Sequence, residues 1–427
     1  MEIPEDIKQK ASKCLHCQMP QCSIKGCPIN TKIPDFIDAI KNQNLELAFK
    51  ILHQNNSMSH ICGLVCPQEK QCEGSCVWGI KDTPVEIGKL EVFINEWAEK
   101  NNLIYDEKDD LVKTKDEIKD NNSINSNKKV AIIGSGPCGL ECAFQLTKLG
   151  INVDIYDKNE KPGGVMTYGI PDFRLDKKLV LDICGKMLKN VNYINSTLDK
   201  DLFETIKKEY DAVLISIGLT KSSSYKLTDE ECDDIYLSND FLLSYLQNKK
   251  MSLGKVVVIG GGNVAMDSAR VAIHLGAKES SIFYRRDEEH MPASKKELVE
   301  AKEEGVNFCE KIRVISANVE NKKLKSINCI KTQIIDGKAV DIEGTEFIKE
   351  CDTVVFAIGQ KPDSELIKSL GLEQDDYNNI KVDEIFQTSQ NGVFSAGDVI
   401  GTTATICNAI KSGRKASIAI DNFLKQW

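Results

Sequence analysis

Two stretches of this chain dictate most of what it can fold into. The first, VAIIGSGPCGLECAFQLTKLGINVDIYD, sets an apolar β-branched run ahead of Gly134, Gly136 and Gly139 and ends a second such run on Asp157. A strand that turns on glycine into a helix and returns as a neighbouring strand is the building unit of a doubly wound parallel sheet. The marked residues divide the physical work. Gly134 permits the tight turn, Gly136 lets backbone approach a pyrophosphate, Gly139 admits close helix packing, and Asp157 can accept from a ribose hydroxyl. The second stretch, KVVVIGGGNVAMDSARVAIHLGAKESSIFYRR, repeats the plan with Gly260 and Gly262, Asn263 following them, and Ala265 where the third small residue belongs. Its second strand ends on Arg285 and Arg286, which suit the 2′-phosphate of NADP; the competing role for the pair is surface ion pairing with the DEE that follows.

Further apolar runs, YDAVLISIG and DTVVFAIG among them, alternate with helical stretches, so the fold class is α/β with two Rossmann-like dinucleotide-binding domains. Two such units imply two dinucleotides, and FAD beside NADPH is the pairing that moves hydride. Near the C-terminus, NGVFSAGDVIGTTATICNAIKSGRKAS reads as a strand, a turn at Gly397 and Asp398, and a helix. The start of that helix can meet flavin ribityl and pyrophosphate groups, with Asp398 as the polar hook, although a Gly-Asp turn is also an ordinary helix cap.

The remaining question is the first quarter of the chain. Eight of the sixteen cysteines fall within the first 76 residues, at positions 14, 17, 22, 27, 62, 66, 72 and 76. The other eight are scattered singly in apolar context, as in DICGKM around Cys184 and ATICNAI around Cys407, the habit of a buried structural thiol. No 18-residue apolar run is present and the N-terminus MEIPEDIKQK is charged, so a cytoplasmic protein without membrane attachment is expected. In a reducing compartment, clustered thiols hold metal rather than form disulfides. A net charge of −9 argues against nucleic acid as a partner.

Between the two cysteine sets, apolar residues at 33, 36, 37, 40 and at 45, 48, 51, 52 predict two short amphipathic helices, and a third is expected over 86–100. These features divide the chain into a helical domain over 1–104, a polar linker over 105–127 in which KTKDEIKD can add a helix turn, a discontinuous FAD-binding domain over 128–219 and 352–427, and an NAD(P)H-binding domain over 220–351.

Taken in order, CGLVCPQEKQCEGSC, GSGPCGL, KPGGVMTYGIPDFRL, GGGNVAMDSAR, YRRDEEHMPAS and VFSAGDV resemble the small (β) subunit of bacterial glutamate synthase. They are similar also to the N-terminal half of dihydropyrimidine dehydrogenase and to the large subunit of the NADH-dependent ferredoxin:NADP oxidoreductase. The resemblance implies NADPH oxidation by FAD, with electrons passed through two [4Fe–4S] clusters to an electron-accepting partner subunit or ferredoxin. It implies that Cys14, Cys17, Cys22 and Cys76 hold one cluster. Cys27, Cys66 and Cys72 would hold the second with Glu91 as fourth ligand, leaving Cys62 spare. The Cys22–Cys27 spacing is one residue longer than the usual family loop. Gly164 and Arg174 would lie beside the flavin, and His290 would border the nicotinamide nucleotide.

Three alternatives remain at this level. Zinc is the other metal that cysteine sets bind, but two long-gapped sets with different internal spacings suit it poorly. A pyridine-nucleotide disulfide reductase shares the layout, yet needs a redox cysteine pair at the flavin, and Cys138 and Cys142 sit on one helix face where packing suffices. A non-catalytic docking or redox-sensing module would bind the nucleotides without turnover. Within the first class, the glutamate-synthase-like role ranks ahead of a pyrimidine dehydrogenase subunit and of a bifurcating or ferredoxin-linked role.

Overall fold

In the computed structural model, residues 3–106, 111–114 and 127–426 are described. They divide into two compact units: one comprises 1–167, 174–218 and 364–427, the other 168–173 and 219–363.

The first unit begins with the cysteine-bearing helices. Ile33–Lys41 and Leu45–Asn55 form where the apolar spacing places them, and they bury Ile33, Phe36, Ile37 and Ile40 against Ala48, Phe49 and Leu52. Asn44 caps the second helix by accepting from the Leu47 N–H at 3.0 Å, which fixes where the chain turns. Helix Ile87–Lys100 closes this core with Leu90, Ile94 and Ala98. The expected linker departs from expectation at its start: Leu103–Asp106 pairs antiparallel with Leu111–Thr114. The helix turn expected over KTKDEIKD opens inside that second strand, and its remainder lies outside the described residues.

Behind these helices stands a five-stranded, all-parallel sheet ordered Val393–Ser395, Ala212–Ile215, Lys129–Ile133, Asn152–Asp157, Asn192–Asn195. Helices Pro137–Lys148 and Ile406–Leu424 cover one face, with Cys138, Cys142 and Leu146 meeting Ala416 and Ile420. The other face packs on Phe203, Ile206, Ile367 and Leu370.

The second unit has its own five-stranded parallel sheet, ordered Asn307–Glu310, Glu279–Tyr284, Lys255–Ile259, Thr353–Phe356, Ile235–Leu237. Thr353–Phe356 lies between two strands of this sheet, so the return to the first unit comes at Ser364 rather than at residue 352. An antiparallel sheet built on Ile312–Glu320 and the long strand Lys323–Ile335 joins this unit. Buried Arg270 ties helix Asn263–His274 to helix Lys295–Glu303 by ion pairs to Glu297 (3.2 Å) and Glu300 (2.7 Å), with Glu304 at 2.7 Å beyond the helix end. Its guanidinium also lies 4.5 Å from the ring centre of Phe173, anchoring the segment 168–173.

Candidate cofactor and metal sites

The eight N-terminal cysteines sort into two cavities. Cys14, Cys17, Cys22 and Cys76 line the first together with Trp78. Trp78 keeps a buried indole N–H with no acceptor among the described residues, a donor that a metal–sulfur centre would satisfy. Cys27, Cys62, Cys66, Cys72 and Glu91 line the second. The resemblance separated Cys14, Cys17, Cys22 and Cys76 from Cys27, Cys66 and Cys72 and left Cys62 aside, whereas Cys62 lines the second cavity.

Local structure explains how two cysteine segments come this close. The five residues Cys22–Gly26 wind as a single π-helical turn, closed by the Cys27 N–H donating to the Cys22 carbonyl at 2.8 Å, so the extra residue of this loop is taken up inside a turn. Gly26 then lies against the other set: a Cβ there would stand 2.6 Å from the Gln71 carbonyl oxygen and 2.7 Å from Cys72 Cα. Only glycine permits that approach. His16 is held by Asp35 at 3.1 Å, on the exposed side of its loop.

Electrostatics in the second cavity follow from burial. The Glu91 carboxyl is pushed well above the usual range by desolvation and by the neighbouring Cys27. Its Oε1 accepts from Asn56 Nδ2 at 3.3 Å. The Cys27 thiol is drawn down to about 6, chiefly by a hydrogen bond from the thiol of Cys407 and further by Thr31. Cys407 therefore departs from its expected role as a structural thiol: it lines this cavity, and its Sγ lies within 4.8 Å of those of Cys62 and Cys66. Cys62 is in the same group, its thiol donating to Asn56 Oδ1 at 3.8 Å. A local apolar pattern such as ATICNAI carries no sign of this, because the partners lie more than 300 residues away in sequence.

The first glycine turn opens as its residues require. Gly134 has φ +102°, and where a Cβ of Gly136 would stand there is open space. Gly164, from the stretch KPGGVMTYGIPDFRL, folds back so that its own Cβ would sit 2.8 Å from Gly136 Cα. Asp157 is buried and braces the turn: Oδ2 accepts from the N–H and the hydroxyl of Ser135, both at 2.7 Å, and Oδ1 accepts from Asn159 N–H and Nδ2 at 2.8 and 3.1 Å. A ribose hydroxyl would have to displace one of these donors. Gly397 packs on Cys138, and Asp398 beside it has a single long bond from Thr402 at 3.5 Å; desolvation lifts its carboxyl to about 6. Arg174 follows the segment 168–173 and belongs to the first unit.

In the second unit, Gly260 has φ +147°, and the place of a Gly262 Cβ meets nothing nearer than Pro292 at 3.9 Å. Asn263 Oδ1 accepts from the Ser294 N–H at 2.7 Å, pinning the loop after His290 onto the turn. Arg285 is exposed, and Arg286 Nε donates to Tyr284 Oη at 3.1 Å. The acids that follow are engaged elsewhere: Asp287 with His290 and Lys311, and Glu288 with Lys302. The ion-pair alternative for the two arginines is thus absent among the described residues.

Two parallel dinucleotide folds, the first preceded by a paired set of thiol-lined cavities, define a pyridine-nucleotide oxidoreductase with metal–sulfur centres. The chain belongs to the pyridine nucleotide-disulphide oxidoreductase family, which matches residues 95–233 and 128–413. The dihydropyrimidine dehydrogenase domain II, 4Fe-4S cluster family matches residues 2–103. The chain is 32% identical to the glutamate synthase [NADPH] small chain of Escherichia coli K12, over 98% of this chain and 91% of that one. It is 30% identical to the NAD-dependent dihydropyrimidine dehydrogenase subunit PreT of the same organism, over 98% and 94%. Among solved structures, Mycobacterium tuberculosis FprA in complex with NADPH shares the fold of 70% of this chain, covering 85% of that one, with a TM-score of 0.60 and 18% identity. The protein is an oxidoreductase that uses FAD, NADP(H) and [4Fe–4S] centres. All sixteen cysteines are free thiols, and no described helix is long and apolar enough to cross a membrane.

Proposed function

We propose that this chain is an electron-input subunit: it takes hydride from NADPH onto FAD and delivers electrons through two [4Fe–4S] sites to a separate partner protein, in the manner of a glutamate synthase small chain. The observation that carries this reading is that the thiol-lined cavities and the first glycine turn belong to one compact unit, so metal and flavin sites share a single body. When bound, the flavin accepts two electrons as hydride and the clusters pass them on one at a time.

The residues have separable roles. Gly134, Gly136, Gly139 and Gly164 clear backbone for the FAD pyrophosphate, Asp157 holds their turn, and Asp398 at the head of the last helix takes a ribityl hydroxyl, with Arg174 at the polar edge of the ring. Gly260, Gly262 and Asn263 do the same for NADPH, and Arg285 and Arg286 pair with its 2′-phosphate. Cys14, Cys17, Cys22 and Cys76 hold one cluster; Cys27, Cys66 and Cys72 hold the other, with Glu91 lining the same cavity. Several of the chain's relatives are named as small chains or subunits, which supports a partner that carries the substrate chemistry. The second reading is a pyrimidine dehydrogenase subunit, favoured by the similarity to PreT; that relative's name specifies NAD, whereas the two arginines favour the 2′-phosphate.

Anaerobic titration of the purified chain with NADPH tests the proposal. Flavin bands and broad cluster absorbance bleach together if the sites are wired. Flavin that bleaches in a protein lacking cluster absorbance after iron and sulfide reconstitution overturns it.

A further inference from the structure

We propose that Asn56 is the positioning residue of the second metal site: its side-chain amide holds the Glu91 carboxylate in place at the cavity that Cys27, Cys66 and Cys72 line. This inference rests on the reading of that cavity as a [4Fe–4S] site with Glu91 as its oxygen ligand. A glutamate side chain turns about three torsions, so a carboxylate that must join thiolates at one cluster needs a partner that fixes its direction. Asn56 is 2% exposed and lines the same cavity. Its Nδ2 donates to Glu91 Oε1 at 3.3 Å, the one hydrogen bond to that carboxylate among the described residues, so Oε2 stays free for iron. Gln68, another amide at this cavity, is committed to backbone, its Nε2 donating to the carbonyls of Cys62 and Gly63 at 3.3 and 2.8 Å.

The direction of the Asn56 amide is set by its other contact. Oδ1 accepts from the Met58 N–H at 3.1 Å, and a backbone N–H can only donate, so the NH2 end faces Glu91. The chain on either side is held from beyond the metal site. Asn56 sits between helices Leu45–Asn55 and Ser59–Val65, and its carbonyl accepts from the Ser59 N–H at 3.2 Å. One residue before it, the Asn55 carbonyl accepts from Arg414; one residue after it, the Ser57 hydroxyl bonds to Glu141. Arg414 and Glu141 lie on helices Ile406–Leu424 and Pro137–Lys148, the pair that covers the sheet of the first glycine turn. The flavin-side fold thus fixes the residue that aims the ligand.

The test uses the full-length chain, reconstituted anaerobically with iron and sulfide. Its readouts are the EPR spectrum of the reduced protein and the concentration of an iron chelator that strips each cluster. Asn56→Asp keeps the oxygen that Met58 needs and replaces the NH2 by a second acceptor, so the turn survives and the Glu91 contact is lost. It should keep FAD and one parental EPR signal, shift the other, and lower the chelator concentration that strips that cluster about 10–100-fold. Asn56→Ser, whose hydroxyl can accept from Met58 but is too short to bridge to Glu91, should do the same and carries the test if the aspartate variant does not fold. Glu91→Ala should shift the same signal, and adding Asn56→Asp to it should change nothing further, because a residue that acts through Glu91 then has nothing left to position. Parental EPR and chelator resistance in the Asn56 variants, or additive effects in the double variant, overturn the proposal. Parental behaviour of Glu91→Ala is a separate failure: it takes Glu91 off the cluster, and the underlying reading falls first.

Discussion

Arg414 reaches Oε1 of Glu141 with both Nε and Nη2, at 2.9 and 2.7 Å, while its Nη1 donates to the Asn55 carbonyl at 3.0 Å. Glu141 is completely buried, and its other oxygen accepts from the Ser57 hydroxyl. One arginine on the last helix therefore ties the cysteine-bearing helices to the helix of the first glycine turn.

Removing that arginine leaves a buried carboxylate without its cation, which costs about 3 kcal/mol or more. Arg414→Met should lower the denaturant midpoint accordingly, and the paired change Arg414→Met with Glu141→Leu should recover most of the loss. Equal destabilisation by the single and double variants, read from urea unfolding of the reconstituted protein, would contradict the clamp.

Gly26→Ala should disturb both metal sites at once. The added methyl would collide with the backbone of Gln71 and Cys72, so the two cysteine segments must part by a few tenths of an ångström or more. Overpacking of this kind costs roughly 1–3 kcal/mol. The expected outcome is reduced iron content with parental FAD, measured on one preparation.

The two arginines at the end of strand Glu279–Tyr284 set nucleotide preference. Arg285→Ala with Arg286→Ala should raise KM for NADPH roughly tenfold or more, the scale of one lost charge-assisted hydrogen bond, and leave KM for NADH nearly unchanged. An equal rise for both nucleotides would remove the 2′-phosphate from the explanation.

His53 gives the fold a pH dependence. Its ring is buried beside Asn95 at 2.9 Å and Ser59 at 3.2 Å, with His60 and Lys186 as the nearby cations, and burial depresses it to about 4. The unfolded chain binds a proton near 6.5 that the folded chain refuses until about pH 4, so stability is full above 6.5 and falls with pH through that window. Between pH 7 and 5.5 the loss from this group is about 1.2 kcal/mol. His53→Gln should flatten the midpoint-against-pH curve by that amount relative to the parent, and a parallel curve would assign the dependence to other groups.

Much of this was legible in the sequence, for reasons particular residues make clear. Gly134 and Gly260 announce their turns because positive φ leaves few alternatives, and the 33–52 helices are written in a local apolar spacing. The fate of Thr353–Phe356 was not legible: its apolar run suits either parallel sheet, and only the pairing with Lys255–Ile259 decides. The hairpin after residue 103 was hidden by polar composition. Cys407 was hidden more deeply, since burial among apolar neighbours describes equally a packing thiol and one that faces other thiols across the fold.

The placement of Arg414 and Cys407 also orders the making of the protein. The first cavity is lined only by residues between Lys13 and Val85 and can close while the ribosome is still far from the codons of helix Ile406–Leu424. The second cavity and the Asn55–Arg414 tie wait for that helix. Domains fold from the N-terminus as they emerge, so one thiol-lined cavity closes early and the other only some 300 residues later. A chain stalled before residue 406 would hold every lining residue of its first thiol set and lack the Cys407 wall of its second.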